Sequence, residues 1–523
     1  MRNILARIAS IVIIIAALAP CAAFAAPYEY YWFGGSDGSW TNTANWSSSP
    51  TEYVAVSRYP MSSYYGAHID TSVASDHHVT IRVPKLASDP PQCAGFEFYD
   101  STGNGTLTLV GEMDGDSRPS VPLLSNTKML WTETGHPMRL EILNFNLSNG
   151  TLSIVENECP GCSVLVSNCV GTSTGNSYFM KLPGQHGGTM TIVDSEITTQ
   201  ILNATDVSDV AGYVFAVTNS TIAINNGASV GGPGTIVDIV NSNIRLGMYH
   251  PKFGAANINT TNDHPNMKIS FRDTTINFNN KFVNFLSAGG TLLFDNVTQV
   301  GDCKDIALAG VSTTVKDTSF KFCAPNSNGG NGISGDLFLD NSEWVCTNEN
   351  YFTKINGPLR VVFSGRAPRF GTSSFGSSYP AVTFDFLVPK GGYAYPPINR
   401  IDNAKTETEF PCSAVGGSIN VLPESPAARA SGTLLQPLIY VKDVRKVGSN
   451  NQPVCKLANL PLTTLPTEKS KFLVTTEYSW EYADVNGKQE SDWTAVETGY
   501  NDMVAGVAVK IVGPKPGLSV FIR

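Results

Sequence analysis

Asp194-Ser195-Glu196-Ile197, Asn219-Ser220-Thr221-Ile222 and Asn241-Ser242-Asn243-Ile244 are three copies of one phrase. Asn or Asp is followed by Ser or Thr, one free position and an apolar residue. The phrase returns as Asp273-Thr274-Thr275-Ile276, Asp317-Thr318-Ser319-Phe320 and Asn341-Ser342-Glu343-Trp344, with looser copies at Asn144, Asn168 and Asn296. From Asn144 the steps are 24, 26, 25, 22, 32, 23, 21 and 24 residues. A period in the twenties with strand-like units is the signature of a solenoid. Short apolar bursts precede the phrases, such as Thr189-Met190-Thr191-Ile192-Val193 and Met267-Lys268-Ile269-Ser270-Phe271. Bursts of this kind, bounded by Gly, Asn and Ser, read as strands. No apolar stripe at helical spacing runs through residues 106–389.

The phrase has a physical reading. Asn and Asp end a strand because they tolerate the left-handed conformation and bond their own backbone. Equivalent Asn side chains on stacked rungs are expected to bond one another in a ladder. The apolar residue two places after the Ser or Thr should point into the core. A single rung cannot bury its apolar face, so many must stack. Carrying the register outward reaches Asp100 and Asn126 on one side and Ser364 and Asp385 on the other. The expectation is an all-β chain, a right-handed parallel β-helix (β-solenoid) of about twelve rungs stacked at strand spacing over residues 96–390. Residues 26–95 form an N-terminal aromatic cap in this reading, and residues 391–433 a Pro/Gly/Ser-rich connection. Residues 434–523 then read as a small C-terminal β unit. In it Tyr478–Tyr482 turns at Asn486-Gly487, a strong two-residue hairpin signal, and residues 504–512 supply a further strand.

Composition sets the compartment. Charged residues are 15% of the 523, while 42% are apolar and 10% aromatic, which excludes a disordered chain. Residues 1–25 read as a secretory signal: Arg2 and Arg7, an apolar run over residues 11–18, and Ala23-Phe24-Ala25 for cleavage after Ala25. That run is too short to span a bilayer, and no second one follows, so the mature chain is expected to carry no membrane span. Removing Arg2 and Arg7 leaves 33 basic against 44 acidic residues, a net charge of −11. An acidic chain without basic clusters argues against nucleic acid as a partner. Export makes the remaining cysteines disulfide candidates. Cys303, Cys323 and Cys346 recur near the repeat period, and equivalent Cα atoms on adjacent rungs lie within disulfide reach. Two of these three are therefore expected to staple neighbouring rungs. Cys412 and Cys455 form a second candidate pair. Cys159-Pro160-Gly161-Cys162 reads as a structural turn or as a bridge from Cys162 to Cys169.

The N-terminal segment runs Tyr28-Glu29-Tyr30-Tyr31-Trp32-Phe33-Gly34-Gly35-Ser36-Asp37-Gly38-Ser39-Trp40 and continues to Asn45-Trp46. This W-x-G-G…D-G-x-W…N-W pattern resembles the opening of secreted bacterial right-handed parallel β-helix proteins, including autotransporter-type repeat proteins. The resemblance covers about 25 residues plus the generic solenoid behind them. It implies a bacterial exported β-solenoid and carries no particular activity. The C-terminal barrel or sorting tail common in such relatives has no counterpart in the sequence.

Chemistry is less legible. Trp32, Trp40 and Trp46 read first as a plug over the solenoid's terminal rung. Their alternative role is a stacking platform for sugar rings. Polysaccharide-degrading β-helices need clustered carboxylates, or a basic residue with Ca²⁺, on one face of neighbouring rungs. Paired Asp-Asp beside Gly-His-Gly and Arg-x-Lys is absent. The 32-residue step holds Tyr249, His250 and Lys252, the place to look for carbohydrate contacts or an active site. Asp194, Asp273, Asp295 and Asp317 sit at the turns and read as structural. Asp76-His77-His78 with His68 makes a poor metal site, since adjacent strand residues face opposite sides. No metal and no cofactor is expected. The expected function is a non-enzymatic, adhesin-like interaction protein at the cell surface or outside the cell, with polysaccharide or another cell surface as partner. The alternative is a parallel β-helix polysaccharide lyase or glycoside hydrolase.

Overall fold

The computed structural model describes residues 29–61, 65–85, 95–100, 105–119, 127–131, 138–147, 152–157, 161–172, 178–181, 188–205, 213–247, 252–254, 264–323, 332–346, 354–372, 374–375, 382–395, 397–401, 418–424, 433–441, 462–463, 473–474 and 505–512. It is a nearly all-β parallel solenoid of about eight regular turns. Among the described residues, no helix is long and apolar enough to cross a membrane. The chain divides into two compact units, Met1–Val164 and Leu165–Arg523.

In the first unit two parallel ladders face each other across an apolar core. One joins β1 (Glu29–Trp32), β4 (Gly66–Asp70), β6 (Gly95–Asp100) and β8 (Thr127–Trp131). The other joins β2 (Asp37–Ser39), β5 (His78–Val83), β7 (Thr106–Gly111) and β9 (Arg139–Leu143). Strand alternation selects the inward set: Trp32, Ala67, Ile69, Phe96 and Phe98 from the first ladder, Val79, Ile81, Leu107, Leu109 and Leu140 from the second, all buried. The short β3 (Trp46–Ser47) pairs antiparallel with β1 and sets Trp46 opposite Trp32. Among the described residues, parallel pairing is present from Glu29 onward, within residues 26–95. These early strands carry the strand alternation but not the Asn-Ser phrase.

In the second unit the phrase behaves as the sequence predicts. Asn168, Asp194, Asn219, Asn241, Asp273, Asn296, Asp317 and Asn341 all have φ between 46° and 55°, as Asn144 of the first unit does at 64°. The apolar position that follows is buried at Ile197, Ile222, Ile244, Ile276, Phe320 and Trp344. In the core, Ile192, Val217, Ile239, Phe271, Phe294, Val315, Leu339, Phe363 and Phe386 stack in one register. Phe271 and Phe294 lie with ring centroids 5.3 Å apart, and Phe363 and Phe386 4.8 Å apart, close to the strand spacing.

Hydroxyls form a ladder along the turns. The Oγ of Ser195, Ser220, Ser242 and Ser342 each donates to the carbonyl two residues back at 2.7 Å. Each also accepts a backbone N–H from the preceding turn. Cys169 N–H reaches Ser195 Oγ at 3.1 Å, Ser195 N–H reaches Ser220 at 3.1 Å, Ser220 N–H reaches Ser242 at 3.2 Å, and Thr318 N–H reaches Ser342 at 3.0 Å. Turn residues also bond one another directly: Asn296 Nδ2 donates to Asp273 Oδ1 at 2.7 Å and Asn341 Nδ2 to Asp317 Oδ1 at 3.3 Å. A Ser hydroxyl is short enough to stay in the turn and satisfy two buried backbone groups at once.

Three further expectations are corrected. The regular turns number about eight instead of twelve, which matches the eight steps between Asn144 and Asn341. Outside them the register of the phrase falls on positions that do other work. Asp385 lies within the strand Val382–Val388, opposite Val362, and Gly365 (φ 74°) takes the turn after Ser364. Asp295 ends a strand one place before the left-handed Asn296. Cys303, Cys323 and Cys346 are thiols, and no disulfide staples them. Cys303 and Cys346 are each in register with Phe322, so two strand spacings separate them. Cys323 is one residue out of that register and faces the other way. Cys169 is also a thiol, so it does not bridge to Cys162.

At the C-terminal side, Thr433–Val441 pairs antiparallel with Ala505–Val512 and touches the parallel sheet through Ile398 and Ile439. The hairpin expected at Asn486-Gly487, the candidates Cys412 and Cys455, and the signal over residues 1–25 lie outside the described residues.

Candidate functional site

The outward residues of β1, β4 and β6 form a small grid on the first unit. Register aligns Glu29 with Gly66 and Gly95, and Tyr31 with His68 and Glu97; Asp70 pairs with Tyr99. Their neighbours in each strand point into the core, so alternation alone presents this set to solvent. His68 sits in the middle. Its Nε2 lies 2.7 Å from Glu29 Oε2 and its Nδ1 lies 2.7 Å from Glu97 Oε2. Both ring nitrogens are thus engaged by carboxylate oxygens of the two flanking strands. The Tyr31 ring stacks on it, centroids 4.7 Å apart and planes 16° apart.

Gly66 makes the arrangement possible. A Cβ there would collide with Glu29 Oε2 and Cδ, so any other residue would push the carboxylate off His68. Burial, reinforced by Glu29 and Glu97, raises the Tyr31 phenol above its usual range. Burial, then Asp70, Tyr31 and Glu97, pushes Tyr99 up to about 12. Both phenols therefore keep their protons at physiological pH. Beside the grid, Phe33 packs edge-on against Tyr53, which is half exposed.

The three tryptophans are placed otherwise. Trp40 and Trp46 are fully buried and Trp32 nearly so. Each indole N–H is used internally: Trp32 on Gly35 O at 3.0 Å, Trp40 on Pro60 O at 2.9 Å, Trp46 on Trp40 O at 2.7 Å. Trp46 packs edge-on against Trp32 at 5.1 Å and Trp40 at 5.0 Å, and Trp40 stacks over Phe96. No ring face is open to a sugar, which leaves the packing role. Tyr249 and His250 lie outside the described residues.

The neighbouring histidines diverge. His77 Nδ1 meets the buried Asp100 Oδ2 at 3.0 Å, together with Thr71 Oγ1 at 2.6 Å, while His78 Nε2 meets Thr108 Oγ1 at 2.9 Å. Among the described residues no three His, Cys, Asp or Glu side chains are placed to hold a metal ion.

Elsewhere, charges pair from turn to turn. Arg82 binds Asp37 through both carboxylate oxygens at 3.1 Å, Arg272 binds Asp238 at 2.7 Å, Lys316 lies 3.2 Å from Asp295, and Arg360 lies 2.6 Å from Asp385. One buried carboxylate departs from this. Asp305 Oδ1 accepts only the Ile306 N–H and Oδ2 has no partner, so burial pushes its pKa up to about 7. Burial and this neighbour together raise the adjacent Cys303 thiol.

Sequence reasoning missed the Glu29–His68–Glu97 face because its members share no motif or spacing. Only the alternation Glu29-Tyr30-Tyr31-Trp32 hinted that two polar groups leave the core side of that strand. Comparison with protein-family models, with curated proteins and with solved structures returned no match.

Proposed function

We propose that the chain is an exported, non-enzymatic β-solenoid acting as an extracellular or cell-surface interaction protein, adhesin-like, with carbohydrate as its ligand class. The supporting observation is the distribution of charge. An acid–base centre gathers carboxylates and basic groups in one groove. Here ion pairs are spread over both units and each member is held by a partner on an adjacent strand. Exposed pairs of this kind add little stability, about 0–1 kcal/mol each. They leave a polar, low-charge surface of Ser, Thr and Asn, suited to hydroxyl-rich partners.

The face around His68 is the favoured contact. It combines aromatic rings with carboxylate acceptors, the pairing that recognises a sugar's apolar face and its hydroxyl rim. The same face favours the second reading, a parallel β-helix polysaccharide lyase or glycoside hydrolase, because Glu29 and Glu97 share it and paired carboxylates hydrolyse glycosides. The test is retention of the full exported chain on insoluble and immobilised polysaccharides. Specific retention on one member supports the interaction protein, and passage through all of them removes carbohydrate as the ligand.

A further inference from the structure

We propose that the corner at residues 301–305 is a proton-controlled latch: loss of the Asp305 proton opens this corner locally while the stacked sheets stay folded. Three observations carry it. The first is an orphaned carboxylate. Asp305 is 1% exposed, its Oδ1 accepts only the Ile306 N–H at 2.9 Å, and its Oδ2 has no partner. Other buried carboxylates are held by side chains: Asp100 by Thr71 and His77, Asp385 by Arg360 and Asn420. A buried charge without a partner forces either neutralisation or access to water.

The second observation is the set of groups around it. Its own segment brings Asp302, Cys303 and Lys304, the preceding turn brings Lys281, and the following turn brings Cys323. None of them bonds the carboxylate. Lys304 lies over the Phe282 ring instead, 5.4 Å from its centroid, and Cys303 Sγ meets the carbonyl oxygens of Lys281 and Asp305. Burial holds the Cys303 and Cys323 thiols protonated, so neither adds charge. The third is position. Asp305 begins its strand opposite Phe282, and Gly301 turns the chain just before it with φ 69°. The corner is tied by Asn280 N–H to Asp302 O at 2.7 Å, Lys304 N–H to Lys281 O at 3.0 Å and Cys323 N–H to Cys303 O at 2.8 Å. A strand end opens at lower cost than the middle of the ladder behind it.

Opening lets water reach the carboxylate, whose pKa then falls from about 7 toward the ordinary value of about 3.9. Between those values each opening releases one proton. The open fraction therefore rises tenfold per pH unit, about a thousandfold in all, and levels off above pH 7.

The experiment is backbone hydrogen exchange of the purified full chain from about pH 4 to about pH 8, followed by mass spectrometry with fragmentation to single residues. Chemical exchange alone speeds up tenfold per pH unit. The Lys304 and Ile306 amides should speed up about a hundredfold per unit up to about pH 7 and tenfold above it. They should also exchange far faster than the Phe294 and Val315 amides within the sheet. In Asp305→Asn, which keeps the side-chain size and cannot ionise, the rise should be tenfold throughout, with circular dichroism as the check on folding. A tenfold rise at the corner of the unsubstituted chain overturns the latch, and this readout needs no variant. A hundredfold rise that persists in folded Asp305→Asn assigns the proton to another group and overturns it too. So do corner amides as slow as those of Phe294 and Val315, since Asp305 would then titrate only with global unfolding.

Discussion

Ser220 serves two turns at once. Its hydroxyl donates to Thr218 O and accepts the Ser195 N–H, and the side chain is buried. Replacing it with Ala leaves a buried donor unsatisfied, which costs about 1–3 kcal/mol. Denaturant unfolding of Ser220→Ala should show that loss, and Ser220→Thr should recover most of it, since Thr274 and Thr318 donate to the same carbonyl at their own turns. An unchanged midpoint for the Ala variant would remove the hydroxyl ladder from the energetics. Asp305 makes a second prediction. Its carboxyl is pushed up to about 7 in the folded chain, against about 3.9 when unfolded. Between those values the folded state holds a proton that the unfolded state has lost. Stability therefore falls as pH rises from about 4 to about 7, with a slope approaching 1.4 kcal/mol per pH unit, and is level above. Unfolding midpoints of Asp305→Asn should lose that slope. A variant that keeps the full slope would assign it to other groups.

At the scale of the element, the turn phrase was legible down to its backbone conformation. Asn and Asp tolerate positive φ, and nine of nine phrase positions adopt it. What the phrase could not reveal was which side chain would bridge the turns, because Asn and Ser are both competent and only the register decides. The same blindness produced the disulfide error: a spacing near the period is not a shared register, and an offset of one residue turns Cys323 to the opposite face. Alkylation without reductant follows from this. Cys323, partly exposed, should react in the native state, and Cys303 only after unfolding, because burial blocks access and holds its thiol protonated. Recovery of Cys303 and Cys346 as a disulfide peptide would contradict the register. The candidate face was illegible for a related reason. Glu29, His68 and Glu97 meet across strands joined by connections of arbitrary length, and no single-strand pattern reports which strand lies beside which.

For the molecule as a whole, the chain's composition already pointed to an uncharged, turn-rich surface. The structure adds that, among the described residues, several charges pair between adjacent strands and that Trp32, Trp40 and Trp46 pack together in the interior. Trp40→Ala should cost about 3–5 kcal/mol, the range for emptying a packed aromatic site, and should do so whether or not a ligand is present. A purely functional role for that ring predicts normal stability with lost binding. The central claim is that the solenoid binds carbohydrate without transforming it. Incubating the purified chain with a polysaccharide panel, with and without Ca²⁺, and following reducing ends and absorbance at about 235 nm tests this most directly, because hydrolysis yields the one and lyase elimination the other. The account predicts retention on one polysaccharide with neither signal rising. Sustained turnover on any member, lost in Glu29→Gln or Glu97→Gln, would contradict it and make the His68 face an active site.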